Sequence, residues 1–424
     1  MSALTYFAVQ RLRGGVHPDQ IREARRLLDA GGATLAAHAR SRLAAIHGPA
    51  AEQPAWLERQ PLTLRTDLTE PHRQLLAGHP KHTEIRRTSG STGTPFTFVK
   101  DKAMAAWMDA TMWAAYSWHG VGPGDRRLRF WGLALKGKVR WRRQVADLLT
   151  RQIRLSAFQV TPADCQEFFL RARRFKARYA YGYPALMVLW ADECAALGLD
   201  GRDLELHAVI ATGELLPPET RRRLTEFFGC NVVNEYGCSE SGVLAFECEA
   251  GTAHTTPVAA LPEVIRPDGT VAGPGELGEV VVSDLYGRYL PMLRYRLHDL
   301  AVPTRQDTCR CGRVLPGLEI SVGRQDSFIE LADGRRIYDA ILAYSVPAGV
   351  SGFRVFQRSS RRLEAQVTLA RGVDREATLR ALSRSWSAAL GTGLELEIQV
   401  VESLPFEDSG KLRYFVPLRP RDVA

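Results

Sequence analysis

The sequence predicts an α/β protein: a large N-terminal domain of mixed sheets and helices over residues 1–322, then a small α+β module over 323–424. Three observations predict it. Strand and helix patterns alternate through the middle of the chain, as parallel or mixed sheets require. Turn-rich runs at Pro267-Asp268-Gly269 and Gly273-Pro274-Gly275 precede a strand-rich stretch. Beyond Gly323 the pattern changes to strands at 353–357, 362–369 and 394–401 around a helix at 375–389, a set large enough to close a separate module.

The elements follow in order. Between His17 and Ile46 the residues Ile21, Ala24, Leu27, Leu28, Leu35, Ala36 and Leu43 recur at helical spacing, giving two amphipathic helices broken near Gly31-Gly32. Residues 61–68 read as a loop entering a short helix with Thr66 as its N-cap. Apolar runs at 127–133, 207–212, 231–236 and 278–284 predict strands, and 101–118, 162–176, 184–197 and 217–228 predict helices. Residues 328–335 predict a hairpin turning at Asp333-Gly334.

With 424 residues, 45% hydrophobic and 24% charged, the chain can bury a sizeable core. No apolar run approaches the ~20 residues that span a bilayer, and the opening MSALTYFAVQRLRGG lacks the core and cleavage site of a signal peptide. The expectation is a cytoplasmic protein with no membrane partner. Seven scattered cysteines, an odd number, predict reduced thiols rather than a disulfide framework. The net charge of +9 is concentrated between Lys136 and Lys176. Such a patch attracts polyanions, and two helices with solvated arginine faces give the same count. No zinc-finger, RNA-recognition or basic-zipper pattern accompanies it, so nucleic acid is not an expected partner.

Chemistry is concentrated in a few runs. Thr88, Ser89, Gly90, Ser91, Thr92, Gly93, Thr94 and Pro95 have the composition of a phosphate loop: glycines let the backbone approach an anion, and hydroxyls and N–H groups donate to it. No Gly-Lys-Ser/Thr follows, so it is not a Walker A loop. Glu235, Tyr236, Gly237 and Glu240, just after a strand, offer an aromatic for a base and a carboxylate for Mg²⁺. Gly213 and Glu214 stand where a strand ends and a helix begins at Pro217-Pro218. Asp299 at a strand end can bind a ribose diol, Arg324 can bridge to phosphate, and Lys411 beside Gly410 can reach a reaction centre. Trp131, Tyr181 and Tyr183 are candidates for an aryl pocket, or equally for core. Cys248, His254, Cys309 and Cys311 form Cys-x5-His and Cys-x-Cys pairs suited to tetrahedral Zn²⁺, or to buried free thiols.

In order and spacing these runs resemble the motifs of the adenylate-forming superfamily over about residues 60–415. Tyr181-Gly182-Tyr183-Pro184 and Cys309-Arg310-Cys311-Gly312-Arg313 resemble its phenylacetate–CoA ligase branch, including the capsule-biosynthesis type. The resemblance implies ATP-dependent activation of a carboxylic acid, aromatic or small organic, as acyl-AMP with release of pyrophosphate. It implies that Thr88 to Gly93 hold the phosphates, Gly213, Glu214, Glu235, Tyr236 and Gly237 the adenine, and Asp299 and Arg324 the ribose and phosphate. Glu240 would hold Mg²⁺, Lys411 would be the catalytic lysine of a mobile C-terminal domain, and Asp326 its hinge. The four-residue Cys/His set resembles the structural zinc sites of that branch. Phe96 stands where a lysine often follows the loop's proline, and the hairpin at 328–335 replaces a Gly-rich segment through which CoA usually enters. The acceptor thus stays open between CoA and an amine, and a silent nucleotide-binding or scaffold homologue is the remaining alternative. A homodimer is compatible with all of these.

Overall fold

A computed structural model describes residues 3–78, 80–88, 96–131, 147, 150–156, 161–305, 309–324, 327–391, 393–407 and 411–418. The chain divides into two compact units, Met1–Gly124 with Val233–Ile320, and Asp125–Val232 with Ser321–Ala424. Each unit is assembled from two stretches of sequence. The boundary read between 322 and 323 falls inside the strand Gly317–Arg324.

In the first unit the helix Pro18–Ala30 opens on a capping box between His17 and Gln20 and buries Ile21, Ala24, Leu27 and Leu28. Gly31, at φ 60°, ends it, and Gly32–His47 follows, which is the expected break. Thr66 does not cap the next helix, which spans Arg65–Gly78. Asp67 instead accepts the Leu64 N–H at 2.8 Å, because a carboxylate three residues on reaches an orphan donor that the shorter hydroxyl does not. The helix Lys102–Tyr116 stops earlier than 118, where a 3₁₀ turn at Ser117–His119 closes on a left-handed Gly120.

Antiparallel strands dominate this unit. Ala260–Ile265, Gly278–Asp284, Tyr295–Thr304, Gly317–Arg324, Ala253–Thr255, Gly242–Glu247 and Asn231–Cys238 are neighbours in that order. Gly237 and Cys238, beyond the expected strand over 231–236, continue it, because Glu235 to Cys238 pair with Gly242 to Phe246 in a hairpin. A separate ribbon pairs Thr83–Arg87 with Thr97–Asp101, so residues 88–96 connect two antiparallel strands. Phe98, Met104, Leu244, Val280 and Val282 are fully buried between sheet and helices.

The second unit contains a parallel sheet in the order Ala208–Thr212, Tyr179–Gly182, Arg127–Trp131, Gln152–Ser156. Helices Pro162–Phe175, Pro184–Ala196 and Pro218–Phe228 each place proline in the first turn, where no N–H is needed. Trp190 is fully buried against Phe130, Phe168, Phe227 and Phe228. The C-terminal sheet runs Glu395–Val400, Arg362–Leu369, Val350–Ser359, Phe415–Val416, with Arg375–Leu390 across it and Trp386 buried. Phe328–Glu330 and Arg336–Tyr338 pair as the expected hairpin, with Gly334 at φ 82° in its turn.

Candidate active site

Parallel strands deliver their functional side chains at their C-terminal ends, because the loops there are free of the following crossover. Three such ends meet in the second unit: Trp131, the Gly182-Tyr183 turn and the Thr212-Gly213-Glu214 turn. The Trp131 ring stacks on Tyr183 with centroids 4.3 Å apart and on Tyr181 at 5.8 Å, so the three aromatic residues expected together are together. Gly213 has φ 77°, and a Cβ there would lie 2.9 Å from the Tyr183 ring, so only glycine allows this approach.

Lys411 reaches the same place. Its Nζ lies 5.7 Å from the Tyr183 ring centroid, and its Cε would be 3.6 Å from a Cβ at Gly213. The segment is anchored by Glu214, whose carboxylate accepts the Leu412 N–H at 2.8 Å and the Ala185 N–H at 3.2 Å. Burial pushes the Glu214 carboxyl up to about 7, against the opposing pull of those two donors and of Lys411. Residues 408–410 lie outside the described residues.

In the first unit, the Thr88 N–H donates to the Phe96 carbonyl at 2.9 Å and the Phe96 N–H to the Thr88 hydroxyl at 3.0 Å, closing the base of the 88–96 connection. Ser89, Gly90, Ser91, Thr92 and Gly93 lie outside the described residues. The Tyr236 hydroxyl donates to Asp299 at 3.0 Å, so the expected base-stacking and ribose-binding residues touch. Glu235 is buried and accepts from the Tyr116 hydroxyl at 2.5 Å. Gly237 lies in the hairpin, where a Cβ would come within 2.2 Å of the Gly242 carbonyl oxygen.

Glu240 is buried too. Burial raises its carboxyl above the ordinary range, Lys100 and Arg65 pull it down, and Asp299 pushes it up, so these charges share one neighbourhood. Next to it the Ser241 hydroxyl donates to Asp284 at 3.1 Å, and Asp284 also accepts from Lys100 at 2.8 Å and from the Met292 N–H at 3.2 Å. This buried carboxylate ties the strand after the 88–96 connection to the turn bearing Glu240. Sequence reasoning missed Lys100 and Asp284. Their signal was a charge closing each of two apolar strands, FTFVK and VVVSD. Arg324 is the last residue of its strand, and Asp326 lies outside the described residues.

The first unit also brings together Cys248, His254, Cys309 and Cys311, whose ligand atoms all lie within 4.8 Å of one another. The sulfurs of Cys248 and Cys309 are 3.6 Å apart, and His254 Nε2 is 3.2 Å from the Cys311 sulfur. His254 Nδ1 is 3.1 Å from the Leu315 carbonyl, which favours the tautomer that leaves Nε2 facing the thiols. Tetrahedral zinc sites have ligand–ligand edges of about 3.3–3.8 Å, so three thiolates and an imidazole at these distances fit that ion.

Among the described residues no helix is long and apolar enough to cross a membrane. Residues 85–287 match the family described as AMP-binding enzyme. A phenylacetate–coenzyme A ligase of Pseudomonas putida is 37% identical over 140 residues, which are 32% of this chain and only 29% of that enzyme. Protein CapK of Staphylococcus aureus is 21% identical over 348 residues, 78% of this chain and 73% of that protein. A solved 2-hydroxyisobutyryl-CoA ligase in its postadenylation state with 2-HIB-AMP shares the fold, with a TM-score of 0.70 at 20% identity over 95% of this chain and 89% of that one. The chain thus shares the fold of that solved CoA ligase, and its central segment is similar to AMP-binding enzymes.

Proposed function

We propose that the protein uses ATP to activate a small carboxylic acid and passes the acyl group to CoA. The observation that carries this reading is the anchoring of Lys411: Glu214 grips the adjacent backbone and sets the ammonium over Tyr183, at the ends of three parallel strands. A carboxylate oxygen attacks the α-phosphorus of ATP, the bond to the β-phosphate oxygen breaks, and pyrophosphate leaves. Negative charge grows on the phosphoryl oxygens in that transition state, and a fixed ammonium stabilises it more than it stabilises the ground state. The thiol sulfur of CoA then attacks the acyl carbon, AMP departs, and the thiol proton passes to water.

Roles for the remaining residues follow from the branch. Thr88 to Gly93 orient the β- and γ-phosphates, Tyr236 packs on adenine, Asp299 accepts from the ribose hydroxyls, and Arg324 assists there. Gly213, Glu235 and Gly237 shape the walls of the nucleotide site, and Trp131, Tyr181 and Tyr183 line the acid pocket. Glu240 would hold Mg²⁺, which supplies charge neutralisation at the phosphates. Residues 323–424 turn about Asp326 between the two half-reactions. The Cys248, His254, Cys309 and Cys311 set would hold a structural Zn²⁺, since four protein ligands leave no open position for a substrate.

Acid-dependent exchange of labelled pyrophosphate into ATP tests the activation step over a panel of aromatic and aliphatic acids. Loss of free CoA thiol, measured beside it, tests the acceptor. Exchange with no acid in the panel would reject the enzyme reading, and exchange without thiol loss would move the acceptor to an amine.

A further inference from the structure

We infer that one face of the parallel sheet in the second unit, centred on Arg129, is a recognition site for an oxyanion, and that the anion is a second acidic group on the substrate, remote from the carboxyl being activated. This rests on the reading of Trp131, Tyr181 and Tyr183 as the acid pocket.

The register aligns Arg129 with Arg154 on one side and with Tyr181 on the other. Alternation along Arg127–Trp131 sends Leu128 and Phe130 into the core and leaves Arg127, Arg129 and Trp131 on the opposite face. Three arginines thus share that face. Asp147 is the carboxylate they meet: it accepts from Arg154 Nη2 at 2.8 Å and Nε at 3.3 Å, and from Gln152, which in turn accepts from Arg127 Nε at 2.6 Å. Asp125 is engaged with Arg178.

Arg129 is the member left over. Its contacts are the faces of Trp131, 4.8 Å from the ring centroid, and Tyr181, at 5.9 Å. Among the described residues its Nε is buried with no acceptor, and so is Arg154 Nη1. Burial first, then the charges of Arg127 and Arg154, push the Arg129 guanidinium down to about 10, which leaves it protonated at neutral pH. A charged, partly desolvated guanidinium without a counter-ion destabilises a fold. The neighbouring sequence cannot neutralise it: residues 132–146 hold Lys136, Lys138, Arg140, Arg142 and Arg143 and no acid, and 157–160 hold none either.

Stacking on an aromatic leaves the guanidinium's N–H edge free, and that edge pairs in bidentate fashion with a carboxylate or phosphate. Trp131 separates Arg129 from Tyr183, and Tyr183 lies beneath Lys411. An acid whose reacting carboxyl lies at Lys411 would therefore run along the aromatic rings and present its far end to Arg129.

Matched acids test this, for example 3-methylbenzoate against isophthalate and 4-methylphenylacetate against 4-carboxyphenylacetate. Wild-type exchange should prefer the diacid of a pair, and R129M should cut the diacid-to-monoacid ratio of kcat/KM at least tenfold. An unchanged ratio overturns the inference while leaving the activation reading intact. Because exchange needs no CoA, an R129M effect confined to the KM for CoA would assign the site to the acceptor's phosphate and equally overturn it. A readout free of turnover is the melting temperature. R129M should melt higher than wild type without ligand, since an uncompensated charge is gone, and should lose the stabilisation that millimolar isophthalate gives wild type. Equal stabilisation of wild type and R129M would reject the site even if no acid supports exchange.

Discussion

Lys411 and Glu214 show how a site is set one residue at a time. A lysine on an exposed C-terminal loop samples many rotamers. Here the backbone beside it is pinned by a half-buried carboxylate that also caps the first turn of Pro184–Ala196. Lys411→Ala should lower acid-dependent pyrophosphate exchange by roughly 10²–10³-fold, the scale of removing one preorganised charge from a transition state. ATP affinity measured by calorimetry should change little, and wild-type exchange rates in the variant would remove the assignment.

Glu214 should in addition leave a mark on stability against pH. Its carboxyl is raised from about 4.5 to about 7, with Lys411, Glu407, Tyr183 and Tyr414 as the titratable groups around it. A raised folded value means the fold favours the protonated form. The stabilisation from this group is full below about pH 4.5 and is lost as pH rises through about 7, with an upper limit of about 3 kcal/mol. Glu214→Gln should melt lower at every pH, because one amide oxygen cannot accept from both N–H donors and the NH₂ opposes one of them. Its melting temperature should nonetheless vary less than that of wild type between pH 5 and 8. A parallel pair of curves would show that Glu214 does not titrate in this range.

Elements supply what single residues lack, which is the approach of segments distant in sequence. The turn after Glu247 and the turn at Cys309–Gly312 hang from strands of one sheet, and only that pairing brings Cys248 within 3.6 Å of Cys309. We expect about one zinc per chain by elemental analysis. Cys309→Ser should lose the metal and lower the melting temperature together, because four ligands that close a loop from 248 to 311 contribute to folding directly. A metal-free protein of unchanged stability would return the cluster to ordinary thiols. The strand ends carry a similar lesson: Lys100 and Asp284 each close an apolar run, and their meeting ties the strand after the 88–96 connection to the Glu240 turn.

For the molecule as a whole, the proposed cycle makes the connection at Asp326 matter more to the second half-reaction than to the first. Asp326→Pro should reduce CoA-dependent release of AMP at least tenfold and change pyrophosphate exchange by much less, because proline removes backbone freedom that the turn between half-reactions needs. Equal losses in both assays would show that residues 323–424 do not act as a moving module.

Much of this was legible beforehand, for definite reasons. Periodicity and proline and glycine punctuation are local, so the helices Pro18–Ala30, Pro162–Phe175 and Pro184–Ala196 and the strand Arg362–Leu369 emerge close to their expected bounds. Trp131, Tyr181 and Tyr183 could be named because aromatic residues at strand ends are conspicuous, although local sequence leaves core and pocket equivalent. Non-local facts escaped. The extension of Asn231–Cys238 depends on its hairpin partner, and the displaced cap at Thr66 on a carboxylate one residue away. By itself, then, the sequence determined which chemical groups are present, the helices and strands that bear them and the superfamily that their order resembles, because those properties depend on neighbours along the chain. Tertiary structure alone decided that Glu214 holds the Lys411 segment, that Asp284 joins Lys100 to Ser241, and that Arg129 Nε finds no acceptor among the described residues, because pairing and burial depend on residues tens to hundreds of positions apart.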